Sequence, residues 1–471
     1  MSTVSVIGTQ LECAGCGHIE DGLANILFKC PNSESSPECD HVLAPKTPGK
    51  DCTATLQNGC TFPAEEINEI PFLRYRALLY PYRIAIAKGM SDEVYVNIIQ
   101  DLNNELVAVG GTGFTETPLL WNNELNSFVK NETLNVAQSH KARHLFNLMS
   151  YLLVMSYGEQ GVGGGLRNRR LAVASCGNAG LAAATVAAAA KWPIDVCIPP
   201  DAEPAVVEQL HHLGASVHIC RRDADFVETS LGKISSKGEA DPTLAVFKNL
   251  VKDHGSIPFS VQGSECGLGV EGSQTIAWEV LEAMQRDFHD SKSPVENSTI
   301  ENVFIQVGGG ALGSGMIQGF QRALDGELEQ VNPTLGSNVI RSLPKLFCIQ
   351  PVGCGPLKRA LDEMKKNDIT NGKTAAKDRA TYMYPWENPH SIAHGILDDE
   401  TYDWLSLVDG MISTEGGALL VDDDSICEAK KFAEEQFGLN PCHTGSAGLA
   451  GLMKNRKEGV SLVVLSGLDR S

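Results

Sequence analysis

The sequence predicts an α/β protein, parallel sheets sheathed in helices, preceded by a small cysteine-rich module. Three observations lead there. From about residue 170 onward, strand-like apolar runs alternate with helical patterns, the order of repeated strand–helix–strand units. Hydrophobic residues make up 42% and charged residues 20% of 471 positions, enough for a full core in two or three domains. The N-terminal stretch departs from this pattern: residues 1–65 are rich in Pro, Ser and Gly and hold six of the 14 cysteines.

Within that module, Cys13-x2-Cys16-x13-Cys30-x8-Cys39 approximates a four-cysteine zinc ribbon, with Cys52 and Cys60 as alternative ligands. Typical ribbons pair both knuckles as CxxC. Here the second is stretched, so a metal-free relic is the competing reading.

The stretch NVAQSHKARHLFNLM (135–149) runs into a helix with Leu145, Leu148, Met149, Leu152 and Met155 on one face. Ser139 is a natural N-cap, which puts Lys141 in the first turn, where unpaired N–H groups disfavour a cation. Burial there would lower its pKa and leave the neutral amine that a Schiff base with an aldehyde cofactor needs. Taken alone, a solvated first-turn lysine is the simpler reading.

LAVAS (171–175) passes through ASCGNAGLAAA (174–184) into an alanine-rich helix. This loop offers N–H groups and small side chains to a carboxylate, or is an ordinary turn with Asn178 left-handed. IDVCIP (194–199) precedes EPAVVEQLHHLG, a helix stopped by Gly214, and SVHIC (216–220) follows. VFIQV (303–307) enters VGGGALGSG (307–315), whose glycines let the backbone approach an anion at a helix N-terminus. A close-packed turn is the bland alternative. Gly308, Gly310 and Gly313 also match GxGxxG, but Gln350 ends the next strand where a dinucleotide site wants an acid. LFCIQ (346–350), the helical GPLKRALDEM and the terminal LVVLSGLDRS complete the pattern, the last delivering Ser466 to a strand end. SKGEADP and DSKSPVENS read as polar loops.

A net charge of −20 repels nucleic acid and anionic membranes, so neither is an expected partner. LAAATVAAAAKW is too short and too alanine-rich to span a bilayer. The start MSTVSVIGTQLECAGC lacks the layout of a secretory signal, so the cysteines read as thiols or metal ligands and the cytoplasm is the expected compartment.

From GFTETPLL (113–120) to the C-terminus the chain resembles the fold-type II pyridoxal-phosphate enzymes: threonine synthase, threonine and serine dehydratases, cysteine and cysteate synthases and the tryptophan synthase β subunit. Asn135–Arg143 is similar to the threonine synthase pattern N-P-T-G-S-F-K-D-R, with His140 for Phe, as in tryptophan synthase β chains, and Ala142 for Asp. SCGN (175–178) is similar to S-S-G-N, and GGGAL (308–312) to the dehydratases' G-G-G-G-L. PHSIAHGI (389–396) is similar to their S/T-I-A-x-G-I, and Ser466 in LSG matches the residue that faces the pyridine nitrogen.

The resemblance implies two three-layer α/β domains with pyridoxal 5'-phosphate between them. The large domain would take 66–145 and 265–471, with a smaller one, 146–264, inserted. It implies that Lys141 carries the cofactor and abstracts the α-proton. Asn178 would meet the phenolic oxygen, and Gly308, Gly309, Gly310, Ala311 and Leu312 the phosphate. Ser466 would face the ring nitrogen. Ser139, Ser175, Cys176, Gly177 and Asn178 would surround the substrate, Cys176 selecting for size. A neutral hydroxyl at the ring nitrogen suits elimination and replacement at Cβ or Cγ.

The activity so implied is a lyase on a small L-amino acid, of the threonine/serine ammonia-lyase type. Threonine synthase from O-phosphohomoserine stands close behind. That family's C-terminal T-G-H-G-L-K-D is reduced here to SG-LDR, and its lysine in the helix after Pro200 is absent. A cysteate- or cysteine-synthase-like replacement enzyme and a non-catalytic cofactor-binding paralogue are further alternatives, and a nucleotide-dependent dehydrogenase is the outside reading. The resemblance also implies a homodimer. Arg143 reads as an ion-pairing residue near the site or a contact for a substrate phosphate, and His394 and His443 as packing or surface groups.

Overall fold

A computed structural model describes residues 8–47, 68–158, 165–175, 177–223, 226–235, 241–288, 295, 298–332 and 340–470. Cys52, Cys60 and Cys176 lie outside these residues, as does most of the two polar loops.

In the N-terminal module β1 (Gln10–Cys13), β2 (Ile19–Asp21) and β3 (Leu43–Pro45) form an antiparallel sheet in the order β2-β1-β3. β4 (Leu119–Asn122) and β5 (Ser127–Asn131) make a hairpin at the edge of a larger sheet. β6 (Leu171–Ala174), β7 (Ile194–Ile198) and β8 (Ser216–Ile219) lie parallel. β9 (Arg221–Asp223), β10 (Phe226–Thr229) and β11 (Gly232–Ser235) form a small antiparallel sheet of their own. β12 (Ile257–Pro258) returns beside β6, giving the four-stranded order β12-β6-β7-β8. β13 (Ile300–Gln306), β14 (Lys345–Pro351), β15 (Gly417–Val421) and β16 (Val460–Leu465) complete a six-stranded sheet, β15-β14-β13-β16-β5-β4, parallel except at β4. β7 and β16 are buried at every position, because helices cover both faces of a parallel sheet.

Register fixes where the site can form. Val303 of β13 pairs with Leu462 of β16, and Leu465 pairs with Asn131 of β5. The carboxyl ends of these three neighbouring strands therefore share one edge, the edge at which open parallel sheets place ligands. The chain leaving β5 leads to Lys141, the chain leaving β13 to the glycine loop, and the chain leaving β16 to Ser466.

The helix Lys141–Ser156 departs from two expectations. Its predicted apolar stripe is buried, but so are Arg143, His144, Asn147 and Ser150, so the helix is enclosed on all sides. Small residues allow this. A Cβ added to Gly272 would overlap the carbonyl oxygen of Arg143, and one at Gly269 would lie 3.3 Å from that of His144. Ser139 is not the cap. His140 holds that position without a side-chain cap bond, and the Ser139 hydroxyl is buried with no partner among the described residues.

Arg143 is engaged at every nitrogen: with Glu132 at 2.8 Å, Glu279 at 2.6 and 3.0 Å, Thr275 at 2.9 Å and Thr117 at 3.2 Å. It is an ion-pairing residue, and the alternative of a substrate-phosphate contact is corrected by its complete burial. Asn178 is not left-handed but opens the helix Asn178–Ala189, while Gly214, at φ 76°, does end the helix Pro204–His212 as the sequence suggested.

The module is packed onto the body. Leu11, Cys13, Cys30 and Leu43 belong to the main hydrophobic core, and Tyr80 donates to the Thr9 carbonyl at 3.0 Å. Among the described residues no helix is long and apolar enough to cross a membrane.

Candidate active site

Lys141 is approached through a strained turn. Asn131 and Asn135 cap two short 3-10 turns, Glu132–Leu134 and Val136–Gln138. Ala137 and Gln138 then take φ 49° and 54°, a left-handed conformation that L side chains seldom adopt. Ser139 pairs with Gly467 in an isolated antiparallel bridge. The His140 backbone N–H donates to the Ser466 carbonyl at 3.0 Å, and its Nδ1 lies 3.0 Å from the same oxygen. Burial, then the charge of Lys141, push the His140 imidazole down to about 3, so it is neutral and donates through Nδ1–H.

Burial likewise lowers the pKa of Lys141, against the opposing charges of Asp398 and Asp403. Among the described residues no hydrogen bond or ion pair engages its amine.

The glycine loop needs its glycines. Gly310 has φ 97° and precedes the helix Ala311–Leu324. A Cβ at Gly308 would overlap the Asp398 carboxylate and stand 2.8 Å from Ile396 Cα. One at Gly309 would press on the Tyr402 ring at 3.0 Å. The Asp398 carboxylate accepts from the Gly309 N–H, and the Asp403 N–H donates to the Gly309 carbonyl at 2.8 Å. An anionic oxygen thus already sits on this loop, which is the chemistry a phosphate would use. Burial pushes Asp398 up to about 6, tempered by the charge of Lys141. Burial pushes Asp403 up to about 7, although the Gly263 N–H at 3.2 Å opposes it.

Asn178 begins its helix beside the end of β16. Arg470 donates to its Oδ1 and, at 2.6 Å, to the Ala137 carbonyl. A Cβ on Gly467 would come within 2.7 Å of Asn178 Nδ2. With its oxygen taken by Arg470, the Asn178 amide acts as a donor, and one such contact goes to the Cys442 sulfur. Ser175 is anchored by its N–H to the Cys197 carbonyl at 3.1 Å, and among the described residues a Cβ at Gly177 would meet nothing within 4 Å.

The structure links several of the predicted residues, some by contact and some electrostatically. Ser139 and His140 touch Gly467 and Ser466, Gly467 touches Asn178, and Asp398 links Gly308 and Gly309 electrostatically to Lys141. Three site residues escaped the sequence reading. Asp398 lay two residues beyond the SIAHGI motif and Arg470 inside the LDR remnant, each a usable signal, whereas Asp403 had none. The expected metal set also changes. Cys13, Cys16 and Cys30 converge with His41, while Cys39 Sγ turns to the Asp40 carbonyl at 3.3 Å.

Comparisons with known proteins agree with this geometry. The L-serine dehydratase of Saccharomyces cerevisiae is 26% identical over 302 residues, 61% of this chain and 78% of its own. The threonine synthase of Methanocaldococcus jannaschii is 26% identical over 227 residues, 48% of this chain and 46% of that enzyme, so the match spans less than half of its length. The processed form of threonine deaminase isoform 2 from Solanum lycopersicum shares the fold, with a TM-score of 0.52 at 17% identity over 80% of this chain and 90% of that one. The family profile described as pyridoxal-phosphate dependent enzyme matches residues 110–467, a span that contains Lys141, Asn178, the glycine loop and Ser466. On that match and this architecture, the chain belongs to the pyridoxal-phosphate dependent enzymes and has the fold-type II form.

Proposed function

We propose that this enzyme is a lyase acting on a small L-amino acid, removing the α-proton and then a side-chain group, in the manner of a threonine or serine ammonia-lyase. The observation that carries the reading is the seating of Ile396 and Asp398, at the end of the SIAHGI segment, directly on the glycine loop beside Lys141. The similarity to L-serine dehydratase over 78% of that enzyme supports it.

The residues present fit pyridoxal phosphate. The N–H groups of Gly308 to Leu312 would hold the phosphate, as the Gly309 bond to a carboxylate indicates. Lys141 would bear the aldehyde carbon, Asn178 would donate to the phenolic oxygen, and Ser466 would face the ring nitrogen. Bound there, the cofactor supplies an electron sink for the substrate α-carbon. Lys141 Nζ, once released, takes the α-proton, which its lowered pKa favours by keeping the amine neutral. Ser175, Cys176 and Gly177 would bind the substrate carboxylate, and the unpaired buried hydroxyl of Ser139 offers one more polar contact. A homodimer is the assembly this reading carries, and light scattering on the purified chain tests it.

The Asn135–Arg143 pattern and the archaeal match favour threonine synthase as the second reading. A product assay separates the two. The purified protein with pyridoxal phosphate is given L-threonine, L-serine or O-phospho-L-homoserine, while keto acid, ammonia, phosphate and threonine are followed. Keto acid with ammonia from threonine or serine supports the lyase. Phosphate released with threonine formed replaces it by the synthase. A yellow protein inert to all three overturns both.

A further inference from the structure

We propose that Cys13, Cys16, Cys30 and His41 bind one structural zinc ion, which fixes the N-terminal module behind the active site. The four ligand atoms all lie within 4.8 Å of one another, at the buried junction of the module and the body. Cys16 Sγ is 3.6 Å from Cys30 Sγ, and Cys13 Sγ is 3.5 Å from His41 Nδ1. Zinc–sulfur bonds of about 2.3 Å and a zinc–nitrogen bond of about 2.05 Å in a tetrahedron place two sulfurs about 3.8 Å apart and sulfur and nitrogen about 3.6 Å apart. These two separations match the tetrahedral values, and the other pairs, all within 4.8 Å, need to close by at most about 1 Å. A disulfide between Cys16 and Cys30 would need the sulfurs at about 2.05 Å.

The surroundings are those of a ligand set. His41 Nε2 lies 3.1 Å from the Ser36 carbonyl, which as an acceptor holds the proton on Nε2 and leaves the Nδ1 lone pair facing Cys13. Backbone N–H groups of Gly15 and Cys16 point at Cys13 sulfur, that of His18 at Cys16 and that of Asn32 at Cys30. Asn32 Nδ2 adds a contact to Cys16 at 3.7 Å. N–H groups aimed at the sulfurs are partners of the kind that orient metal ligands. The turn between Cys13 and Cys16 closes through Gly17, at φ 74°, whose N–H bonds the Cys13 carbonyl at 2.9 Å. On binding, three thiols release their protons to solvent and three thiolates and one neutral imidazole take the dication. Soft sulfur ligands in a closed tetrahedron select zinc over magnesium or calcium, and no position is left open for catalysis.

His41 directly follows Asp40. The Asp40 N–H donates to the Ala376 carbonyl at 2.8 Å, and its carboxylate accepts from Trp404 Nε1 and stands 3.8 Å from Arg379 Nε. Trp404 is the neighbour of Asp403 in the site. An ion that holds His41 therefore holds the residue on which the Asp403–Trp404 corner rests.

Elemental analysis of the full chain, purified with zinc in the medium and passed over a desalting column, tests this. About one zinc per chain is expected, retained in Cys39→Ser and reduced to about a tenth in Cys16→Ser and His41→Ala. His41→Cys restores a four-thiolate set and retains the metal, so loss in His41→Ala is not merely a failed fold. Cobalt substitution should give tetrahedral visible bands with thiolate charge transfer. Wild-type protein without bound zinc, or metal lost from Cys39→Ser but kept in His41→Ala, overturns the proposal.

Discussion

Replacing Arg143 by Met tests the buried network under the central helix. Lys130, Arg143, Glu132 and Glu279 are all fully buried and their formal charges cancel. Burial alone would raise both glutamates, but the charge of Arg143, and then Lys130, more than offsets it and leaves both carboxyls below their usual range. In the wild type these depressed values contribute stability that is complete above the unfolded pKa and is lost only in acid. Arg143→Met leaves one negative charge in excess. The cheapest relief is to protonate one glutamate, which at pH 7 costs about 1.36 kcal/mol for each of about 2.7 pH units above an unfolded value near 4.3, or about 3.7 kcal/mol. This agrees with the roughly 3–5 kcal/mol seen when one partner of a buried pair is removed. The protonated glutamate now has a folded pKa above its unfolded one, so the sign reverses. The loss relative to wild type shrinks by about 1.4 kcal/mol per pH unit, to about 1 kcal/mol at pH 5. Urea unfolding followed by tryptophan fluorescence at pH 7 and pH 5 measures the difference. Glu279→Gln in the Arg143→Met background removes the excess charge and should recover more than half of the loss at pH 7. A deficit under about 1 kcal/mol at pH 7, or one that does not change with pH, refutes the reasoning.

The other predictions concern the site. Lys141→Ala should abolish the cofactor adduct that borohydride fixes on the wild-type chain, read by mass spectrometry of the peptide; an undiminished adduct elsewhere would remove Lys141 from its role. Gln138→Gly should leave stability unchanged or raise it by up to about 1.5 kcal/mol, since relief of a left-handed residue, about 1–2 kcal/mol, matches or outweighs the entropy of glycine, about 0.5–1 kcal/mol; a lower melting temperature contradicts the strain. Gly308→Ala should weaken cofactor retention at least about ten-fold, because its Cβ overlaps Asp398, whereas Gly177→Ala, with nothing within 4 Å, should fold and bind cofactor like the wild type; equal cofactor affinity in Gly308→Ala would count against the loop.

What could be read from the sequence was local. β7, β13, β14 and β16 are mainly apolar and buried at nearly every position, because both faces of a parallel sheet are covered. Lys141, Asn178, the glycines and Ser466 each stand at a strand end or helix start, where residue type and backbone are tied together. The rest depended on chain segments far apart in sequence. Asp398 reaches the loop after β13 and Arg470 reaches Asn178 through tertiary packing that leaves no periodic trace. Arg143, His144 and Asn147 lie off the apolar stripe of the helix, yet all three are buried, with Gly269 and Gly272 bringing a second backbone against Arg143 and His144. His41 was hidden by Cys39 two residues before it. Spacing favours the cysteine, and only the hold of the Ser36 carbonyl on the imidazole brings the histidine to Cys13.

The lysine at the head of the central helix shows how the fold sets a proton's place. The helix N-terminus disfavours an ammonium by about 0.3–1 kcal/mol, and burial acts in the same direction. Unopposed, these effects would leave a neutral amine that attracts no anion. Asp398 and Asp403 act against them, but each is itself raised by burial, to about 6 and about 7. Near neutral pH, Asp403 is thus divided between its two forms. The two aspartates therefore favour the charged form of Lys141 through space while burial opposes it, and among the described residues neither is hydrogen-bonded to it.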